Sequence, residues 1–140
     1  MAVDYFGMAD IRRHQGRLEE ALGLYENAGE IYRDLIDIEP GSSSLEINLA
    51  GALDGQGIAF ARLGEVRSAE IVWRRALRLV EDCPGTADGP DLSCLALRAT
   101  LMIRQGLIID AEPLVERLAA FGYVENMAGE NLADLLDSKR

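Results

Sequence analysis

The sequence predicts an all-α fold, a row of three antiparallel helix hairpins with a C-terminal capping helix. Two observations carry this prediction. Three segments align at fixed offsets around Gly16, Gly64 and Gly106. The 140 residues also hold only four prolines against abundant Ala, Leu, Glu and Arg, a balance that favours helices over strands. Hydrophobic residues make up 49% of the chain, enough for a packed interior, and the length suits a single domain over 1–140 with one continuous core.

The aligned segments are Tyr5–Ala28, Leu53–Ala76 and Leu95–Leu118. Two residues after each glycine stands an aliphatic side chain (Leu18, Val66, Ile108), and five after it an alanine (Ala21, Ala69, Ala111). Nine after it comes a large apolar residue (Tyr25, Trp73, Val115), and twelve after it Ala28, Ala76 or Leu118. Seven before it lies a small residue (Ala9, Gly57, Ala99), and eleven before it Tyr5, Leu53 or Leu95. Offsets of three, four and seven put residues on one face of a helix. The glycine fits the helix end between two such faces, where a left-handed backbone makes a Cβ costly. The small residues on either side of the turn let paired helices approach closely. The large ones fill the space between successive hairpins, because one hairpin cannot bury both of its faces.

The first hairpin is expected over about 3–15 and 18–38, stopping at Pro40-Gly41. The hydroxyls of Ser42, Ser43 and Ser44 can cap the next helix, and the second hairpin covers about 44–63 and 67–82. The loop CPGTADGPD then leads to a third hairpin over about 91–105 and 110–121. Pro113 is tolerated there because a first turn has no intrahelical N–H bonds to lose. Gly122 ends that helix, and the capping helix over about 126–137 sets Leu132, Leu135 and Leu136 on one side. The first helix has only fifteen residues before its glycine, where the second repeat uses about twenty, and no polar cap precedes it. This asymmetry predicts one of three things: a C-terminal piece of a longer array, an N-terminal face docked on a partner, or a homodimer through the N-terminal helix.

The pattern resembles the tetratricopeptide repeat family over about three quarters of the chain. The second copy carries the resemblance best, with Leu53, Gly57, Phe60, Gly64, Ala69, Trp73 and Ala76 on the signature positions. The first copy departs at Arg12, where an aromatic is usual, and the third at Val115 and Leu118. The glycine spacings of 48 and 42 exceed the usual period of about 34 residues, as in long-helix arrays of the family. The resemblance implies an α-solenoid with a right-handed superhelical stack and a concave groove lined by the first helix of each hairpin. In bacteria such arrays often accompany signalling domains such as kinases, caspase-like proteases or ATPases. It therefore implies a protein-binding scaffold belonging to a larger signalling protein.

On this resemblance the groove residues are Asp10, Arg13, His14, Ile58, Arg62, Thr100 and Arg104. Arg13/His14, Arg62 and Arg104 would form a cationic ladder able to grip the carboxylates of an acidic peptide. The competing account is local: cations in a last helical turn offset the negative end of the dipole. The family's lysine and asparagine clamp for a C-terminal carboxylate is missing, since its positions hold Phe6, Asp10, Asp54, Ile58, Ala96 and Thr100.

Composition narrows the function further. A net charge of −10 opposes nucleic-acid binding, which depends on clustered cations. No stretch of 18 apolar residues occurs and the start MAVDYFGMAD is no secretory signal, so the expected location is the cytoplasm, with no membrane partner. One histidine and two cysteines give no zinc ligand set, and Cys83 and Cys94 are expected as reduced thiols although a bridge is sterically feasible. The Gly-x-Gly of DGQGIAF lies mid-helix and follows no strand, so it is no phosphate loop. Ser42–Ser44 has no histidine partner in a recognisable motif. The expectation is a non-enzymatic scaffold without a cofactor that binds a protein or peptide, with homo-oligomerisation as the alternative. An acidic mimic that sequesters a basic target is a third reading.

Overall fold

The computed structural model describes residues 2–83, 85–86 and 89–140. The described residues are of the all-α class, seven helices with one short two-residue ladder between the fourth and fifth. Its elements run α1 (Ala2–His14), α2 (Leu18–Ile38), α3 (Ser43–Arg62), α4 (Val66–Leu79), β1 (Gly85–Thr86), β2 (Gly89–Pro90), α5 (Leu92–Arg104), α6 (Ile108–Ala120) and α7 (Leu132–Ser138). The strands form a two-residue antiparallel ladder, Gly85 opposite Pro90 and Thr86 opposite Gly89. Residues 84, 87 and 88 of the loop expected between the second and third hairpins lie outside the described residues.

The chain divides into two compact units, Met1–Leu79 and Val80–Arg140. In the first unit α1 packs on α2, α2 on α3 and α3 on α4, with a smaller contact between α1 and α3. In the second, α6 packs along α5 and α7 touches both.

The repeat glycines set the hairpin turns. Gly16, Gly64 and Gly106 take φ values of 77°, 84° and 79°. In each turn the glycine N–H bonds two residues back from the cap (Gly16 to Arg13 O, Gly64 to Ala61 O, Gly106 to Ile103 O). The next residue closes a wider loop, Arg17 to Arg12 O, Glu65 to Phe60 O and Leu107 to Met102 O. This double bond pattern satisfies carbonyls that a helix end leaves open, and only glycine enters the required conformation without steric cost. Gly122 repeats it at the end of α6.

The repeat's alanines are fully buried at Ala9, Ala21, Ala28, Ala69, Ala76, Ala99 and Ala111. Ala9, Ala21 and Tyr25 form one cluster, with Phe6 and Leu24 against it. Two glycines of α3 receive the large residues of the neighbouring helices. A methyl group at Gly55 would fall inside the Tyr25 ring from α2, and one at Gly57 inside the Trp73 indole from α4. Side-chain caps begin α3 and α5: Ser42 Oγ accepts from Leu45 N at 3.4 Å, and an Asp91 carboxylate oxygen from Cys94 N at 3.1 Å.

Four expectations require correction. The helix α4 ends at Leu79, three residues before the predicted stop. The helix α6 starts at Ile108, so Pro113 is its sixth residue and lies beyond the first turn. The last helix begins at Leu132, not near 126, because Asn126 organises a turn instead. Its Oδ1 accepts from Ala128 N at 3.0 Å and Glu130 N at 2.9 Å, Gly129 takes φ 80°, and Glu125 bridges to Asn131. Asn131 then caps α7, accepting from Asp134 N at 3.0 Å. Finally, Cys83 and Cys94 are joined in a disulfide, not reduced, with Cα atoms 5.7 Å apart. The Asp91 cap places Cys94 in the first turn of α5, within reach of Cys83 after α4.

Candidate functional site

The predicted groove residues of the first unit separate into inward and outward groups. In the last turn of α1, Arg13 is only 5% exposed. Its Nε donates to the Tyr25 hydroxyl at 3.0 Å. That hydroxyl donates to Asp10 Oδ1, and Arg13 Nη2 lies 3.6 Å from the same carboxylate oxygen. Phe6 meets the Tyr25 ring edge-on, with centroids 5.6 Å apart. Tyr25 is held here because Gly55 leaves room for its ring.

This cluster closes on itself chemically. Burial alone would lower the Arg13 pKa, but the hydrogen bond it donates to Tyr25 and the charges of Tyr25 and Asp10 outweigh it, and the guanidinium stays firmly cationic. Burial, then the hydrogen bond to Asp10, push the Tyr25 phenol well above its ordinary value despite the opposing Arg13. Asp10, Arg13 and Tyr25 thus tie α1 to α2.

The outward group is different. His14 is exposed, and its Nδ1–H donates to the Asp10 carbonyl at 2.7 Å. Arg62 is exposed in the last turn of α3, and Ile58 one turn earlier is buried. Beside this end, Gly16, Arg17, Leu18, Glu19, Glu20 and Leu63 line an open depression of about 360 Å³. Arg17 and Glu20 pair across its rim at 2.9 Å, and Arg12 adds a second contact to Glu20 at 3.4 Å.

In the second unit, Thr100 and Arg104 both face the chain's own C-terminal segment. Thr100 is fully buried. Its hydroxyl donates to Ala96 O at 2.8 Å and accepts from Asn126 Nδ2 at 3.2 Å. Asn126 Nδ2 also donates to Glu130 Oε1 at 3.0 Å, and Arg104 pairs with that oxygen. The turn over 126–130 is therefore fastened onto α5 at the two positions assigned to a ligand.

Sequence reasoning named Asp10, Arg13, Thr100 and Arg104 but missed Tyr25, Asn126 and Glu130 as their partners. Asn126 and Gly129 are residue types suited to a turn, and that was the available signal. Among the described residues, no three His, Cys, Asp or Glu side chains gather as a metal site, and no helix is long and apolar enough to cross a membrane.

The outer side of α1 carries the remaining feature. Ile11 points away from the Ala9 face and is 55% exposed; Val3 is 72% exposed, and Met8 flanks them. The neighbouring α2 has 21 residues against 13 in α1. Its apolar edge Leu24, Ile31, Leu35 and Ile38 runs at helical spacing past the end of α1, where Ile38 is 80% exposed.

Comparison of the chain with family models, curated proteins and solved structures gives no match.

Proposed function

We propose that the chain is a non-enzymatic interaction scaffold built on the tetratricopeptide repeat, and that it holds a protein or peptide on the outer face of its first hairpin. The observation that carries this reading is the group of exposed apolar side chains Val3, Met8 and Ile11 on α1, with Leu35 and Ile38 exposed on the neighbouring α2. Grouped exposed apolar side chains, unlike scattered single ones, mark interaction surfaces. The repeat supports the reading too, through the same glycine turn and the same buried alanine in each copy. The predicted groove cations support this face over a groove, since Arg13 and Arg104 already hold internal partners.

The proposed compartment is the cytoplasm and the proposed setting a larger bacterial signalling protein, as in the long-helix arrays the repeats resemble. In a reducing cytoplasm the Cys83–Cys94 bridge would open, and thiol alkylation in a fresh extract would show whether it does.

The test is affinity capture with wild type and with Val3→Asp/Ile11→Asp. Both side chains are exposed, so melting is expected to shift little. Partners retained by wild type and lost by the variant support the terminal face. Partners retained equally by both, and lost with Arg62→Ala, would return the site to the groove.

A further inference from the structure

Two helix faces of the first unit carry charge that their own helices do not call for. On α4, Arg67, Arg74 and Arg78 are exposed in one stripe with Ile71, at spacings of four, three and four residues, and Arg75 stands beside it. Glu70 is the helix's only acid. This cationic face belongs to a chain of net charge −10. On α2, Glu26, Glu30, Asp34 and Asp37 are exposed in a stripe of opposite sign, with Arg33 at its edge. Each stripe spans twelve residues, eleven steps or about 16 Å of helix axis.

One end of each stripe runs against the helix dipole, although Arg78 in the last turn of α4 agrees with it. Acids favour a first turn and cations a last turn. Yet α2 has no base in its last turn, where Asp37 sits, and α4 has no acid in its first turn, where Arg67 sits. At Arg67 and Asp37 a face arranged only to stabilise its helix would show the reverse. Ile71, 53% exposed, accompanies the arginine stripe on α4.

We infer that these faces meet between two copies of this chain, the acidic stripe of α2 in one against the arginine stripe of α4 in the other. Going beyond the terminal-face reading, this contact does not depend on it. A second copy fits because one chain carries both signs at matched length, and a two-fold pair makes the contact twice. The net charges of two copies repel. At about 0.1 M salt, however, the screening length is about 10 Å, so distant charges are damped more than ion pairs in contact.

The experiment is light scattering of the full chain across a salt series. Wild type is expected at about twice 15.3 kDa at moderate salt and to lose the pair towards 1 M. Arg67→Glu/Arg74→Glu and Asp34→Arg/Asp37→Arg each set like charges against each other and are expected to be monomeric. An equimolar mixture of the two variants sets the unaltered α2 stripe of one against the unaltered α4 stripe of the other, with the reversed positions opposed in the second contact, and is expected to recover the doubled mass. The reversals at 67 and 37 agree with the local dipole, so folding is expected to survive and is checked by helical circular dichroism. Ile11→Asp, on the other face, should leave the mass doubled even if it abolishes partner capture. Wild type at 15.3 kDa at every salt concentration overturns the proposal, including the case where α4 instead binds anionic vesicles or an acidic peptide. Variants that stay paired, or a mixture that stays monomeric, overturn it as well.

Discussion

At the scale of single residues, the packing of the first unit turns on what α3 lacks. Alanine is normally the better helix former than glycine, by about 1 kcal/mol. At Gly57 that gain meets the Trp73 indole, and at Gly55 the Tyr25 ring. Overpacking a core costs about 1–3 kcal/mol. Gly57→Ala is therefore expected to lower stability. Gly23→Ala, at an exposed site in α2 with open space around it, is expected to raise it by about 0.5–1 kcal/mol. Thermal melting of the two variants should move in opposite directions, and a gain at Gly57 would show that the helices can separate without loss. Tyr25 gives a second test at this scale. Its phenol titrates higher in the folded chain than in the unfolded one, so above about pH 10 the unfolded chain releases its proton first. Stability is thus full below that pH and falls as the pH rises through the interval. Tyr25→Phe should cost stability at neutral pH by removing the hydroxyl that bridges Arg13 and Asp10, yet flatten the alkaline decline. Tyr32, raised by burial as well, contributes what slope remains. A decline in the variant as steep as in wild type would place its origin elsewhere.

At the scale of elements, legibility followed from periodicity. Ala9, Ala21 and Tyr25 could be read as one cluster because helical spacing reports which residues share a face, and the structure places them together. The turn glycines could be read because a left-handed φ has few chemical solutions. The polar partnerships could not. Asp10 and Arg13 lie fifteen and twelve residues from Tyr25, and helical period says nothing about which buried hydroxyl a charge will meet. Arg13 looked like a groove cation for the same reason that it is a good tie: it follows the core face near the end of α1. The start of α7 was misplaced because residues 126–131 include good helix formers, and only the competition of the Asn126 side chain for Ala128 N and Glu130 N decides against a helix. Asn126→Ala removes both of those bonds and the one to Thr100 in a buried setting. Losing such partners costs about 1–3 kcal/mol for each group left unsatisfied. Hydrogen exchange should then quicken over 122–131 and the first turn of α7. Unchanged protection there would mean that the Arg104–Glu130 pair and the backbone bonds Asn126 N to Glu130 O and Leu132 N to Val124 O suffice to hold the segment.

At the scale of the whole molecule, the chain's two compact units differ in how they are held. The first relies on interlocked side chains and on Asp10, Tyr25 and Arg13. The second has thirteen-residue helices, a seven-residue last helix, a polar turn and the Cys83–Cys94 disulfide. That bond closes a loop with a sequence separation of 11, for which the chain-entropy account gives about 3 kcal/mol. A small unit gains much from such a staple, because its buried area leaves little margin over the entropy of ordering the chain. Reduction is therefore expected to act within Val80–Arg140. Exchange should accelerate across α5, α6 and α7, while protection in α1 through α4 changes little. Cys83→Ser/Cys94→Ser should reproduce the reduced profile without reductant. If reduction loosens both units equally, the chain unfolds as one cooperative body and the boundary at Leu79–Val80 has no energetic meaning. If neither unit responds, the Asp91 cap and the contacts among α5, α6 and α7 suffice without the bridge.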